Sequence, residues 1–288
     1  MAAPLLDAQL LGRLEALQVG TRRRLAGRLS GGHRSVRHGS SLDFADYRQY
    51  HPGDDYRRID YHLLARLDLV LLKLFEAEDD LSVRLLVDTS GSMAAGGKLR
   101  QAARTAAALG FVALVRRDAV TVHTFPTVGP APRFNGRAAA PALFAHLGGL
   151  VAAGQTNVAA AAAHLLARRG PPGLTVLVSD LLTPEWETAL QRLPARGGEV
   201  VVVHVLGAED LRPSVIGDVE LVDAESGSRV AVSLGADVVD AYERVVAAWA
   251  ERVEDRCHHA GLGYVRVLAD DDLGDVLFGG WRRAGVLR

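Results

Sequence analysis

The sequence predicts an α/β fold, an open and mostly parallel sheet with helices on both faces, preceded by an N-terminal accessory segment. Three observations lead there. From Leu81 onward, short β-rich runs alternate with helical runs, the pattern of a parallel sheet crossed by helices. Polar clusters stand directly after the apolar runs ending at Val87 and Ser179, where an open α/β sheet places its ligand-binding loops. With 49% apolar and 23% charged residues among 288, the chain can bury a sizeable core.

The elements follow in order. Leucines 5, 6, 10, 11, 14 and 17 share one face of a first helix, about Pro4 to Leu17. The Arg-, Gly- and Ser-rich stretch from Thr21 to Ser41 reads as a solvated segment. A region dense in tyrosine, charge and histidine comes next. There His51-Pro52-Gly53-Asp54 signals a turn, Asp54 is placed to cap a helix through Leu64, and Leu69–Phe75 reads as a strand. In the α/β region the expected strands are Ser82–Val87, Ala119–Phe125, Leu174–Ser179, Glu199–Leu206 and Tyr264–Leu268. Ala131–Phe134, flanked and interrupted by prolines, fits only a sheet edge. The expected helices are Lys98–Arg116, Ala138–Leu147, an Asn157-capped helix to Ala167, Glu185–Leu193, Ala236–Ala260 and Asp272–Phe278. Val219–Asp223 and Arg229–Ser233, joined by AESGS, read as a hairpin. The expected division is a helical and basic segment over 1–31, an accessory segment over 32–76, and the α/β domain over 77–288.

Composition excludes several functions. A formal net charge of −1 gives no general attraction to nucleic acid or to an anionic membrane. The basic stretch lacks interleaved aromatics for stacking on bases. The lone Cys257 has no partner for an intrachain disulfide and reads as a small buried residue. No stretch approaches the roughly 20 apolar residues that span a bilayer. Asp7, Gln9 and Arg13 make the first helix amphipathic and unlike a signal peptide. The expectation is a cytoplasmic protein with no membrane insertion.

Three clusters carry chemistry: Asp88-Thr89-Ser90-Gly91-Ser92, Gly154-Gln155-Thr156-Asn157 and Ser179-Asp180. They converge if the strands ending at Val87 and Ser179 are neighbours. Hydroxyl and carboxylate oxygens suit a hard cation, Mg²⁺ or alternatively Mn²⁺ or Ca²⁺. With no His or Cys in the clusters, zinc is not expected. Alternation at 88, 90 and 92 puts three side chains on one side of an extended loop, and Gly91 lets that loop turn. The scattered histidines 51, 62, 123, 164, 204, 258 and 259 read as surface or satisfied core residues.

Asp88, Ser90, Ser92, Thr156 and Asp180 resemble, in order and identity, the metal-ion-dependent adhesion site of von Willebrand factor A domains. The resemblance implies that Ser90 and Ser92 ligate the metal directly, that Thr156 is a third ligand, and that Asp88 and Asp180 hold water ligands. Upstream, Ser41 to Tyr50, His51 to Asp55 and Arg57 to Asp60 resemble the signature of a bacterial family, domain of unknown function fifty-eight. Leu67–Phe75 and Trp281-Arg282-Arg283 also fit that family. Its members are typically encoded beside AAA+ ATPases of the MoxR type, and many carry membrane helices ahead of the signature, which are not expected here. The resemblance therefore implies a metal-dependent adaptor with a MoxR-type AAA+ ATPase as partner.

A cation held mainly by hydroxyls stays electron-hungry and gains from a carboxylate on a protein partner. Binding rather than catalysis is thus expected. The enzymatic alternative is a Mg²⁺-dependent phosphohydrolase with Asp88 as nucleophile. Ser90, however, stands where the haloacid-dehalogenase arrangement places a second Asp. No GxSxG is built around Ser90 or Ser92, and Gly96-Gly97-Lys98 lacks the spacing of a P-loop. A third reading is a metal-independent scaffold using residues 42–75, with Asp54, Asp55, Arg57 and Arg58 as its contacts.

Overall fold

The computed structural model describes residues 4–17, 44–51, 54, 56, 59–67, 69–75, 82–127, 129–168, 170–171 and 173–281. The chain forms two compact units, one of residues 1–27 with 81–288 and one of 28–80. The first helix, α1 (Ala8–Leu14), therefore falls in the larger unit and not in a segment of its own. Its reason is burial: Leu6, Leu10, Leu14 and Leu17 join the larger unit's core. The helix starts later than the leucine spacing predicts because Asp7 caps it, accepting from the Leu10 amide at 2.7 Å, and it ends at Leu14.

In the smaller unit, β1 (Phe44–Gln49) pairs antiparallel with β2 (Leu71–Phe75), and α2 (Tyr61–Leu67) lies between them in sequence. The expected Asp54 cap is not formed. Asp60 caps α2, accepting from the His62 and Leu63 amides at 3.0 and 3.3 Å. Asp54 instead closes its own turn, accepting from the His51 amide at 2.9 Å and from Arg48 at 2.8 Å. Its distance from the helix in sequence leaves the cap to the acid immediately before it. Asp55, Arg57 and Arg58, like the whole basic stretch from Thr21 to Ser41, lie outside the described residues.

The larger unit is built on β3 (Ser82–Asp88), α3 (Lys98–Val115), β4 (Ala119–Phe125), β5 (Arg133–Asn135), α4 (Ala140–Gly148), α5 (Val158–Ala167) and β6 (Gly173–Ser179). It continues with α6 (Trp186–Arg192), β7 (Gly198–Leu206), α7 (Ala208–Leu211), β8 (Gly217–Val222), β9 (Arg229–Leu234), α8 (Ala236–His259), β10 (Gly263–Leu268) and α9 (Leu273–Asp275). Six strands form one sheet in the order β10-β7-β6-β3-β4-β5. All neighbours are parallel except β5, which runs antiparallel on the edge of β4, the place its flanking prolines allow. Among the described residues, β8 and β9 pair only with each other.

Alternating side chains feed two cores. Val83, Leu85 and Val87 of β3, with Leu174, Val176 and Val178 of β6, pack on the side of α1, α3 and α4. Leu86 and Leu177 point the other way, toward the layer of α5, α6 and α8. A mostly parallel sheet covered on both faces by helices is the architecture that the β-α alternation predicts. Among the described residues no helix is long and apolar enough to cross a membrane.

Candidate functional site

Strand order fixes where the clusters meet. The chain runs outward from β3 to β4 and β5, then crosses to β6 on the other side of β3. The order reverses between β3 and β6, so the crevice beyond their carboxyl ends is the switch point at which open α/β sheets bind ligands. The parallel register pairs Val87 with Val178. One residue further, the Ser179 hydroxyl donates to Asp88 Oδ2 at 2.6 Å.

Asp88 is fully buried. It accepts from the Ser90 amide at 2.9 Å, from Ser179, and from the Thr156 hydroxyl at 3.1 and 3.2 Å to its two oxygens. Burial pushes its pKa up to about 6, and the charge of Asp180 adds to that shift against the relief from Ser179 and Ser90. The loop after Asp88 does not stay extended as the alternation argument assumes. Ser90 is extended, at φ −67° and ψ 167°, and a 3₁₀ turn begins at Gly91. The turn still brings Ser90 Oγ and Ser92 Oγ to 3.0 Å from each other. The two hydroxyls are hydrogen-bonded at that distance, and adjacent ligands of an octahedral cation with bonds of about 2.0–2.1 Å stand about 2.9 Å apart, so the spacing is compatible with Mg²⁺.

The loop is tied down on both sides. The Thr89 amide and hydroxyl donate to the Phe125 carbonyl at 2.7 and 2.9 Å. The Gly91 amide donates to the Gly154 carbonyl at 2.8 Å, and the Ala153 amide donates back to Thr89. Gly154 has φ +86°, a conformation that favours glycine, and this sets Thr156 opposite Asp88. Gly91, read from sequence as a turn residue, is not in that left-handed region. Its lack of a side chain serves a close approach: a Cβ there would stand 2.5 Å from the Ala224 carbonyl oxygen.

Ala224 belongs to the tip joining β8 to β9, and its neighbour Glu225 reaches the same site. Glu225 Oε2 accepts from the Thr156 amide at 2.8 Å. Glu225 Oε1 is buried without a hydrogen-bond partner among the described residues.

Asp180 is also fully buried, and its partner is a cation of the chain itself. Lys98 Nζ, at the start of α3, donates to Asp180 Oδ2 at 2.9 Å and reaches Asp210 of α7 at 2.9 Å. Burial alone would lower the Lys98 pKa, but the two carboxylates outweigh it and hold it above the ordinary lysine value. Asp180 Oδ1 accepts from the Leu182 amide at 3.2 Å. Each carboxylate oxygen keeps capacity to accept from a water. Leu181 between them adopts φ +55°, a strained conformation for a branched side chain that full burial holds in place. Behind it, His204 contacts the Asp180 carbonyl at 3.1 Å and the Tyr264 hydroxyl at 2.9 Å. Burial drives its pKa down to about 4, so the ring is neutral and positions the loop. It is a satisfied core histidine, as expected.

The structure thus gathers Asp88, Ser90, Ser92 and Thr156 into one hydrogen-bonded group, with Asp180 beginning the loop that follows β6. Among the described residues, no three His, Cys, Asp or Glu cluster as metal ligands, and the side-chain atoms gathered here are hydroxyl and carboxylate oxygens. The donor set is all oxygen and fits a hard divalent ion. Sequence reasoning missed Lys98, Asp210 and Glu225, and noted Ser179 without a role. The only signal for Lys98 is its place at a helix start beneath the switch point, and for Glu225 an acid in a hairpin tip.

Comparison with known proteins adds relatives whose names state no activity. The chain is 29% identical over 302 residues to the uncharacterized protein Rv1480 of Mycobacterium tuberculosis, covering 98% of this chain and 92% of that one. An equal match is the uncharacterized protein Mb1516 of Mycobacterium bovis, and a shorter one, 32% over 118 residues and 40% of this chain, is MAV169 of Mycobacterium avium. Among solved structures, the conserved hypothetical protein BatB of Bacteroides thetaiotaomicron aligns at TM-score 0.43 and 17% identity over 71% of this chain and 98% of that one. An aerotolerance-related membrane protein of Bacteroides fragilis aligns at TM-score 0.42, also at 17% identity, with the same coverage. A family model matches residues 46–252, so the chain belongs to the family described as protein of unknown function DUF58.

Proposed function

We propose that the protein is a metal-dependent protein-binding module of the von Willebrand factor A type, acting as an adaptor for a MoxR-type AAA+ ATPase in complex assembly or maturation. One observation carries the metal reading: Ser90 and Ser92 hydroxyls stand 3.0 Å apart beside Thr156 and the buried Asp88, at the switch point of the sheet. Ser90, Ser92 and Thr156 would hold Mg²⁺, or Mn²⁺ or Ca²⁺, while Asp88 and Asp180 orient its waters. Bound there, the cation supplies a Lewis-acidic position for an acidic side chain of a partner. The MoxR partnership rests on the family resemblance.

A non-catalytic role is favoured by the state of Asp88. A phosphoryl-accepting carboxylate needs a free oxygen facing substrate. Asp88 is 0% exposed and accepts from Ser179, Ser90 and Thr156. For the scaffold reading, Asp54 is engaged by Arg48, and Asp55, Arg57 and Arg58 lie outside the described residues, so no arrangement among the described residues favours it.

The test is affinity capture of the cognate MoxR-type ATPase on the immobilised full chain. Capture should require Mg²⁺, vanish in EDTA, and be lost in Ser90→Ala. Capture that survives both treatments would overturn the metal-dependent reading.

A further inference from the structure

The hairpin tip between β8 and β9 lies on the candidate metal site, and nothing in the proposed function uses it. Asp223 preorganises the tip: its Oδ1 accepts from the Glu225 amide at 3.0 Å, the Ser226 amide at 2.5 Å and the Ser226 hydroxyl at 2.8 Å. The tip meets the site twice. Ala224 covers Gly91, the residue between the two serines, and Glu225 holds the Thr156 amide. The second carboxylate oxygen of Glu225, Oε1, is buried and has no hydrogen-bond donor among the described residues. A buried, unpaired carboxylate oxygen is costly unless a donor or cation faces it. Here it sits on the residue touching Thr156, beside a group of oxygens suited to a divalent ion.

The hairpin is otherwise lightly held. Among the described residues its strands pair only with one another, and Leu221, Val222 and Val230 are exposed. The contacts of Ala224 and Glu225 hold the tip against the site, and the hairpin is no part of the six-stranded sheet.

We propose that Glu225 is an internal carboxylate ligand of this site: when a divalent cation binds, the hairpin tip fills the coordination position that a partner's acidic residue takes, and the partner must displace it. The inference rests on the metal reading of Ser90, Ser92 and Thr156. It makes the chain its own competitor, with release of the β8–β9 tip as the step that exposes the cation.

The test uses Mn²⁺ alone as probe, on the full chain. Mn²⁺ affinity is measured by calorimetry, and hydrogen exchange is followed over residues 223–228 with and without the ion. In the wild type, Mn²⁺ should slow exchange at the tip. Glu225→Gln should bind Mn²⁺ about tenfold more weakly or worse, and its tip should gain no protection. Gly91→Ala, whose new methyl strikes the Ala224 carbonyl, should likewise leave the tip unprotected while Glu225 is intact. Equal affinity in wild type and Glu225→Gln, or a tip whose exchange ignores Mn²⁺ in the wild type, overturns the inference. Ser90→Ala separates the two ideas. Mn²⁺ binding that is lost there but unchanged in Glu225→Gln keeps the metal site and rejects the internal ligand, whereas a wild type that takes up no Mn²⁺ rejects both.

Discussion

Replacing Lys98 by methionine tests the least expected contact in the site. Methionine keeps a long side chain and removes the charge. The Lys98 side chain is 2% exposed and the Asp180 side chain 0%, so solvent cannot take over the neutralisation. What remains for Asp180 is the Leu182 amide at 3.2 Å, with Asp88 close enough for its own pKa to register the Asp180 charge. Breaking a buried pair from one side costs about 3–5 kcal/mol. For a unit of this size each kcal/mol lowers the melting temperature by about 2–4 °C, so the loss should be about 6–20 °C. The assay is thermal and urea unfolding at neutral pH in EDTA, followed by circular dichroism. Lys98→Met combined with Asp180→Asn should be more stable than Lys98→Met alone, because no buried carboxylate is then left unpaired. A loss below about 1 kcal/mol would refute the reasoning, since only solvent-exposed pairs contribute so little.

Two further outcomes follow from particular residues. Asn157 caps α5 through its Oδ1, 2.7 Å from the Ala160 amide, so Asn157→Ala should cost about 1 kcal/mol in urea unfolding and Asn157→Asp much less. Asp88 has a folded pKa of about 6 against an ordinary 3.8, so the folded state holds its proton more tightly than the unfolded one. Its contribution therefore falls by about 3 kcal/mol as pH rises from about 4 to about 6 and is flat above. His204, whose folded pKa is lowered to about 4, gives the opposite slope as its unfolded form releases a proton up to about pH 6.5. The difference between wild type and Asp88→Asn in EDTA isolates the Asp88 part, and Asp88→Asn should be the more stable of the two at pH 7.

Much of the architecture was legible because burial repeats with the period of each element. Ala119–Phe125 falls where its pattern predicts, and the strand ends at Val87 and Ser179 are neighbours, as convergence of the polar clusters requires. β1 escaped because Phe44–Gln49 mixes aromatic and charged residues with no clean alternation. The Asp54 cap failed for a local reason, since Asp60 stands next to the helix and Asp54 finds Arg48 first. The remaining omissions are contacts across long stretches of chain. Lys98 lies 82 residues from Asp180 and 112 from Asp210, and Glu225 lies 69 from Thr156. No periodicity encodes such pairs. A lysine opening a helix and an acid in a hairpin tip read as ordinary surface residues until the fold brings them inward.

The central claim is that Ser90 and Ser92 form the core of a divalent-metal site. Calorimetric titration of Mg²⁺ into the purified full chain, beside the Ser90→Ala/Ser92→Ala double variant, tests it most directly. One ion should bind per wild-type chain, and binding should disappear in the double variant while its circular dichroism spectrum is retained. A wild type that binds no Mg²⁺, or a folded double variant that binds it equally well, would contradict the account.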